Sequence, residues 1–384
     1  MGLGLAWADM DGFRVVICGG GVAAIEALLR LRRLAGDLVE IAVLAPNDEF
    51  VYRPVAVHEA VAFGRTRRYR LEDVARDAEA EWVKDTLASV DSAARVVHTG
   101  EGHELRYDAL LVAVGGRSVS DLDHVIAFRD AEAGEVYDRV VEDVERGRVR
   151  SVAFVVPEGP VYPLPGYELA LMTAELARRA GVGVLEVCLV TPEPAPLAAF
   201  GGTAGAVVGG MLTQAGVKLY ASAGAFVPAP GALLVQPQGA ELTPDRIVAM
   251  PRIVGPNVHG LPGNGTHGFI PIDSRCAVPG TAGRVFAAGD ATAFPIKHGG
   301  VGAQQADTAA AAIARLAGVT TERPRFWPEI RGKLLTGGKP LYLSARLVGD
   351  QGFDSEVSES PPWPVDDKIV AAELGPYIAG LENP

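Results

Sequence analysis

Residues 14–34 read RVVICGGGVAAIEALLRLRRL. A short β-type run, Arg14–Cys18, gives way at once to Gly19-Gly20-Gly21. A helical pattern follows, with Ala24, Leu28, Leu31 and Leu34 on one face at spacings of three and four. As a fingerprint this is Gly19-x-Gly21-x-x-Ala24. Gly19 permits the tight turn, Gly21 lets the backbone approach a pyrophosphate, and the small Ala24 lets helix and strand pack closely. The helix start adds unpaired N–H groups and a partial positive charge for the phosphates. A strand before the glycines and a helix after them make this a dinucleotide turn rather than a chance cluster.

The next strand, Leu38–Leu44, should end near an acid that bonds the adenosine ribose, about 20 residues after the turn. It ends instead in Leu44-Ala45-Pro46-Asn47-Asp48, and Asp48 and Glu49 come three or four residues late. The ribose is therefore expected to be held by backbone, by Asn47 or by water. Two later stretches return to the same pattern. YDALLVAVGGR (107–117) is a buried strand ending in glycines. In GRVFAAGDATAFPIKHGGVGAQQADTAAAAIARL (283–316), a strand Arg284–Ala288 ends in Gly289-Asp290 and a long helix starts after Gly299-Gly300. Glycine before an acid suits a carboxylate that bonds a ribityl hydroxyl. The helix start suits a dipole aimed at the negative end of a reduced flavin.

Together, the turn at 19–24, the strand at 107–117 and Gly289-Asp290 resemble the FAD-dependent pyridine nucleotide–disulfide oxidoreductases. NDEFVYRP (47–54) and the segment after Asp290 look most like the branch that holds type II NADH dehydrogenases and sulfide:quinone oxidoreductases. The resemblance covers roughly residues 13–320. It implies FAD held by Gly19, Gly21, Ala24, Gly115 and Asp290, with Gly300 and Val301 beside the flavin pyrimidine. Val114 stands where threonine is usual. Residues 81–98 read as a small β-meander, with backbone near Leu87 a candidate for holding adenine. The implied architecture is α/β, with two Rossmann-like domains, the second inserted into the first. The FAD domain comprises 13–118 and 256–320, the insert 119–255, and a C-terminal hairpin and helix 321–384 dock on the body or a dimer mate.

Residues 152–173, VAFVVPEGPVYPLPGYELALMT, open the insert with strand 152–156 and a helix from about 167 to 180. Strand 185–191 and a helix at about 203–215 continue the alternation. The first loop of the insert has no Gly-x-Gly-x-x-Gly. Pro160, Pro163 and Pro165 remove backbone donors that a pyrophosphate needs, and Glu158 adds a like charge. NAD(P)H binding is therefore expected to be weak. Glu193, after the second strand of the insert, reads as a solvated loop acid.

Relatives that oxidise sulfide use cysteines beside the flavin, but this loop carries Tyr162, and residues 291–384 hold no cysteine. Cys18 and Cys188 read as reduced core residues, and Cys276 as the reachable one. Thiol chemistry is disfavoured, and the loop is expected to shape a small-molecule or quinone pocket. The residues expected to act in it are Arg53, Tyr162, Lys297 as a cation for reduced flavin, and His298 as a proton carrier. Of Gln304 and Gln305, at least one reads as a helix-surface amide. No histidine shows ligand spacing, so no metal is expected.

The chain has 384 residues, 48% of them hydrophobic, with 46 glycines and 27 prolines, which suits a turn-rich globular α/β protein. A net charge of −12 argues against nucleic acid as a partner. Neither a spanning segment nor a secretory start is apparent, so a cytoplasmic setting is expected. In the tail, Gly337-Gly338 turns a hairpin, and Val370, Leu374, Tyr377 and Leu381 share one face. The leading expectation is an FAD oxidoreductase linking a small-molecule donor to an acceptor such as a quinone. The alternatives are an NAD(P)H dehydrogenase with weak nicotinamide binding, and a flavin-binding protein without catalysis.

Overall fold

The computed structural model describes residues 12–52, 67–128, 133–263, 267–348, 352–364 and 367–382. β1 (Phe13–Cys18) enters α1 (Val22–Ala35) through the three glycines, and β2 (Val39–Leu44) lies parallel to β1 with Val16 opposite Ala42. β3 (Glu81–Val83) extends the sheet past β2, and β4 (Ala109–Val112) pairs with the other side of β1. The chain then builds a second sheet. Its strands β5 (Ser151–Val155), β6 (Glu186–Val190), β7 (Val217–Tyr220) and β8 (Arg246–Ala249) are all parallel, with a short Ile126–Ala127 strand beside β8. Helices α2 (Leu164–Arg179) and α3 (Gly201–Gln214) make the crossovers. β9 (Val285–Ala287) returns the chain to the first sheet, whose order is β9-β4-β1-β2-β3, and α4 (Gly299–Leu316) packs along α1.

Strands buried on both faces need apolar residues at every position, and these have them. Val15 and Ile17 face the helices, whereas Val16 and Cys18 face a second apolar cluster with Tyr107 and Leu110. Two parallel sheets with helical crossovers make this a Rossmann-like α/β fold. Where the chain passes between them, Arg117–Val119 pairs antiparallel with Arg252–Val254, and Arg252 bonds Asp121.

Several expectations are corrected. Glu81–Val83 is not part of a meander, because the register Val43 opposite Trp82 draws it into the main sheet; the meander is Leu87–Asp91, Val96–Thr99 and Glu104–Arg106. α2 starts at Leu164 rather than 167, since a proline is tolerated in a first helical turn. The Gly337-Gly338 turn joins Glu329–Leu334 to Leu341–Val348, and a third strand, Gly352–Ser358, completes an antiparallel sheet. The tail helix α5 (Leu374–Glu382) begins after Val370; it buries Leu374 and Ile378 against the body and leaves Leu381 45% exposed.

Cys276 is 0% exposed, because the Ala277–Phe286 bridge holds it beneath β9. Cys188, expected in the core, is half-buried. Burial pushes the Cys188 thiol up to about 11 and raises Cys18 and Cys276 further. A thiol reagent such as Ellman's is therefore expected to react slowly with the folded protein and with three equivalents once it is unfolded. Rapid labelling of Cys276 in the folded state would overturn its placement.

Candidate functional site

A cleft of about 1340 Å³ runs along the carboxyl ends of the first sheet. Ordinary small-molecule pockets hold about 300–1,000 Å³, so this one takes a ligand of dinucleotide size. At one wall, Gly19 has φ +131°, and a Cβ there would sit 2.2 Å from the Ala113 carbonyl oxygen. Only glycine fits that turn. Gly21 caps α1 without a side-chain partner, and nothing lies within 4 Å of where its Cβ would be. The turn is therefore open to the cleft, and the first N–H groups of α1 face an anion site. Ala24 does not line the cleft; at 1% exposure it does its expected work of close helix packing. Gly115 lines the same wall with φ +74°.

One end of the cleft is bounded by Asn47, Asp48 and Leu87. Asp48 pairs with Lys84 at 2.6 Å, and Glu49 with Arg68 at 3.4 Å. Asn47 and Leu87 thus line the same cleft as the glycine turn. Arg53 lies outside the described residues.

The other end gathers Asp290, Lys297, His298 and Tyr162. Gln305 Oε1 accepts the Gly289 N–H at 2.8 Å and so fixes the turn that carries Asp290. Lys297 Nζ donates to the carbonyls of Thr292 (2.5 Å) and Asp290 (3.3 Å) and lies 3.7 Å from the centre of the Phe269 ring. Burial lowers the Lys297 ammonium to about 8, against the opposing pull of the Asp290 charge. It is a buried cation at neutral pH.

His298 is not the expected proton carrier. Its Nδ1 accepts the N–H groups of Gly300 (2.9 Å) and Val301 (3.4 Å), capping α4, while its ring also bonds the Arg331 backbone. Burial lowers it to about 4, so it is neutral and committed to structure. The same bonds remove Gly300 and Val301 from the flavin's side. Gly299 and Gly302 line the cleft instead. Tyr162 stands edge-on to His298 at 5.1 Å.

Both glutamines are structural. Gln304 bonds both the N–H and the carbonyl of Glu329, holding the C-terminal sheet to α4. Glu193 is no solvated acid: it accepts from Tyr167 Oη (2.7 Å), Thr191 Oγ1 (3.2 Å) and Ala198 N (3.0 Å). In space, ligand atoms of Asp85, Glu101 and His103 come within 4.8 Å of one another, although the Asp85 oxygens already accept the N–H groups of Thr86 and Glu101. No metal site is built on them.

Two cleft residues escape a reading of the sequence. Lys368 and Ile369, from the tail, line the flavin end. Lys368 Nζ donates to Glu168 Oε2 at 2.8 Å, with side-chain exposures of 8% and 0%. Burial pushes the Glu168 carboxyl up, and Lys368 and the Leu335 N–H draw it back. A lone acid inside the apolar run LPGYELALM was the available signal for Glu168. Lys368 had none.

A glycine turn at a helix start, an acid at the end of another parallel strand of the same sheet and one long cleft joining them define a dinucleotide-binding flavoprotein class. The residues fit FAD: the turn Gly19–Gly21 and the start of α1 would hold its diphosphate, and Asp290 its ribityl chain. The sequence matches the pyridine nucleotide-disulphide oxidoreductase family over residues 13–314. The chain belongs to that family and is an FAD-dependent oxidoreductase by class.

The sulfide-quinone reductase of Aquifex aeolicus (strain VF5) is 24% identical over 187 residues, 47% of this chain and 43% of that protein. The matched stretch thus spans less than half the length of this curated relative. The solved structure of the Aquifex aeolicus sulfide:quinone oxidoreductase superposes with a TM-score of 0.80 at 20% identity, covering 91% of this chain and 87% of that one. A ferredoxin reductase from Rhodopseudomonas palustris gives 0.67 at 20% identity, covering 88% and 84%. Among the described residues no helix is long and apolar enough to cross a membrane.

Proposed function

We propose that the chain passes electrons through FAD from a small-molecule donor that needs no protein thiol to a quinone-type acceptor. The observation that carries this is the buried Lys368–Glu168 pair at the flavin end of a cleft that no cysteine lines. FAD, when bound, would supply the two-electron redox chemistry at that end. The start of α1 binds the diphosphate and Asp290 orients the ribityl chain. Lys297 supplies positive charge where negative charge grows. Negative charge grows on a quinone oxygen as it is reduced, and the Lys368 ammonium, held on Glu168, offers an N–H donor to it at the cleft wall. Tyr162 and Ile369 narrow the cleft and keep water out. The likeness to a sulfide:quinone oxidoreductase supports the acceptor, while the absence of any cysteine from the cleft lining sets this chain's donor apart.

The start of α2 disfavours tight NAD(P)H binding. Pro163 and Pro165 lack N–H groups, and the Gly166 N–H is spent on the Pro163 carbonyl at 2.9 Å. Glu193, the acid after β6, has its oxygens occupied. The second parallel sheet nevertheless keeps an NAD(P)H dehydrogenase as the second reading. Anaerobic titration of the purified flavoprotein tests both. Stoichiometric NADH or NADPH is expected to leave the flavin yellow, while a member of a panel of small organic reductants bleaches it and a soluble quinone restores the colour. Stoichiometric bleaching by NADH would install the second reading. Silence toward every donor would leave flavin binding without catalysis.

A further inference from the structure

The last helix starts on a carboxylate from the first. Glu26, in α1 and 0% exposed, accepts the N–H groups of Ala372 (2.7 Å), Glu373 (3.0 Å) and Leu374 (2.6 Å). These are the orphan donors that open α5. Around them, Glu373 bonds Arg30 at 3.0 Å and Arg33 at 2.6 Å, both on α1. Asp307, on α4, hydrogen-bonds Glu26 and lies 3.8 Å from Arg30 Nε. Further along, Tyr377 Oη donates to Asp77 at 2.8 Å, with Asp73 and Arg76 nearby. Just upstream of the capped amides, Lys368 and Ile369 wall the flavin end of the cleft. Ile369 is seated on Gly299, where a Cβ would meet it at 2.5 Å.

Three carboxyls, Glu26, Asp307 and Glu373, thus face two guanidiniums, Arg30 and Arg33. Two carboxyls in hydrogen-bond contact need a proton between them, and with one proton the cluster is neutral. We propose that Glu26 is the positioning residue that docks the tail onto the cleft, and that a proton shared by Glu26 and Asp307 governs the docking, so this wall loosens as pH rises. Burial first, then the charges of Glu26 and Glu373, raises Asp307 to about 8, and burial also raises Glu26. The sign follows. Docked, the pair keeps a proton that an undocked, solvated pair releases in the ordinary carboxylate range. Docking is therefore strongest below that range, weakens with each pH unit above it, and levels off beyond about 8.

Hydrogen–deuterium exchange on the purified flavoprotein reads this without any assumption about donor or acceptor. Protection of the 372–374 amides, corrected for intrinsic exchange chemistry, is expected to fall by up to about tenfold per pH unit between pH 6 and pH 8, the limit for one linked proton. Asp307→Asn, which cannot lose that proton, is expected to hold its protection constant over the same range. Glu26→Gln, whose amide oxygen still accepts from the 372–374 N–H groups and whose NH2 donates to Asp307, also removes the shared proton and is expected to do the same, so it decides the matter if Asp307→Asn fails to fold. Constant protection in the unaltered protein, or variants that lose protection as steeply as it does, would overturn the proposal.

Discussion

Lys368→Met is expected to lower folding stability by about 3–5 kcal/mol, the cost of leaving a buried charge without its partner. The partner is Glu168, whose side chain is 0% exposed and whose remaining bond is the Leu335 N–H. The loss depends on pH in a definite direction. An acid whose folded pKa is raised imposes no penalty when protonated in both states. The penalty grows as pH climbs from the ordinary carboxylate range toward the raised value, and removing Lys368 raises that value further. Denaturant unfolding should therefore separate the variant from the parent more widely at pH 8 than at pH 5. Glu168→Met combined with Lys368→Met should recover most of the loss, since an apolar pair of similar volume replaces a buried ion pair at little cost. A variant as stable as the parent, or a double variant no better than the single, would show that the pair is not closed in solution. Turnover with a quinone should stay low even in the recovered double variant, because the Lys368 ammonium is gone from the wall.

Asp290→Ala should purify with little flavin. A hydrogen bond to a charged group is worth about 1.5–3 kcal/mol, so FAD affinity should fall by about 10- to 150-fold. The turn itself should survive, because Gln305 holds Gly289 through its backbone and Thr292 Oγ1 bonds the Gly289 carbonyl at 2.9 Å. Absorbance of the purified protein, followed by titration of added FAD, checks this. An unchanged flavin content would remove Asp290 from the site.

The features legible in the sequence were those that chemistry confines to a few neighbouring residues. Gly19 and Gly289 announce themselves because their positive φ angles admit almost nothing else, and Gly21 because a bare backbone leaves the turn open to a phosphate. The parallel sheets were legible because strands covered on both faces must be apolar throughout. His298 was misread because N-caps favour Ser, Thr, Asp and Asn, so a histidine ahead of two glycines suggests proton transfer rather than capping. Cys276 sits in the polar run IDSRCAV, and only the bridge to Phe286 places it under a strand. Lys368 and Glu168 stand 200 positions apart, and no periodicity connects them. Their meeting depends on how the tail folds back, which in turn depends on Glu26, a buried acid inside a helix that otherwise reads as ordinary dinucleotide-fold packing.

The placement of the three sulfurs bears on durability. A flavin that leaks electrons to dioxygen makes peroxide within its own cleft, and thiolates nearby are the first groups that peroxide oxidises. Here Cys18 and Cys276 are closed off within the fold, and Cys188 sits on the second sheet as a protonated thiol. No cysteine lines the cleft that would hold the cofactor, so the protein is expected to keep in air without added reductant.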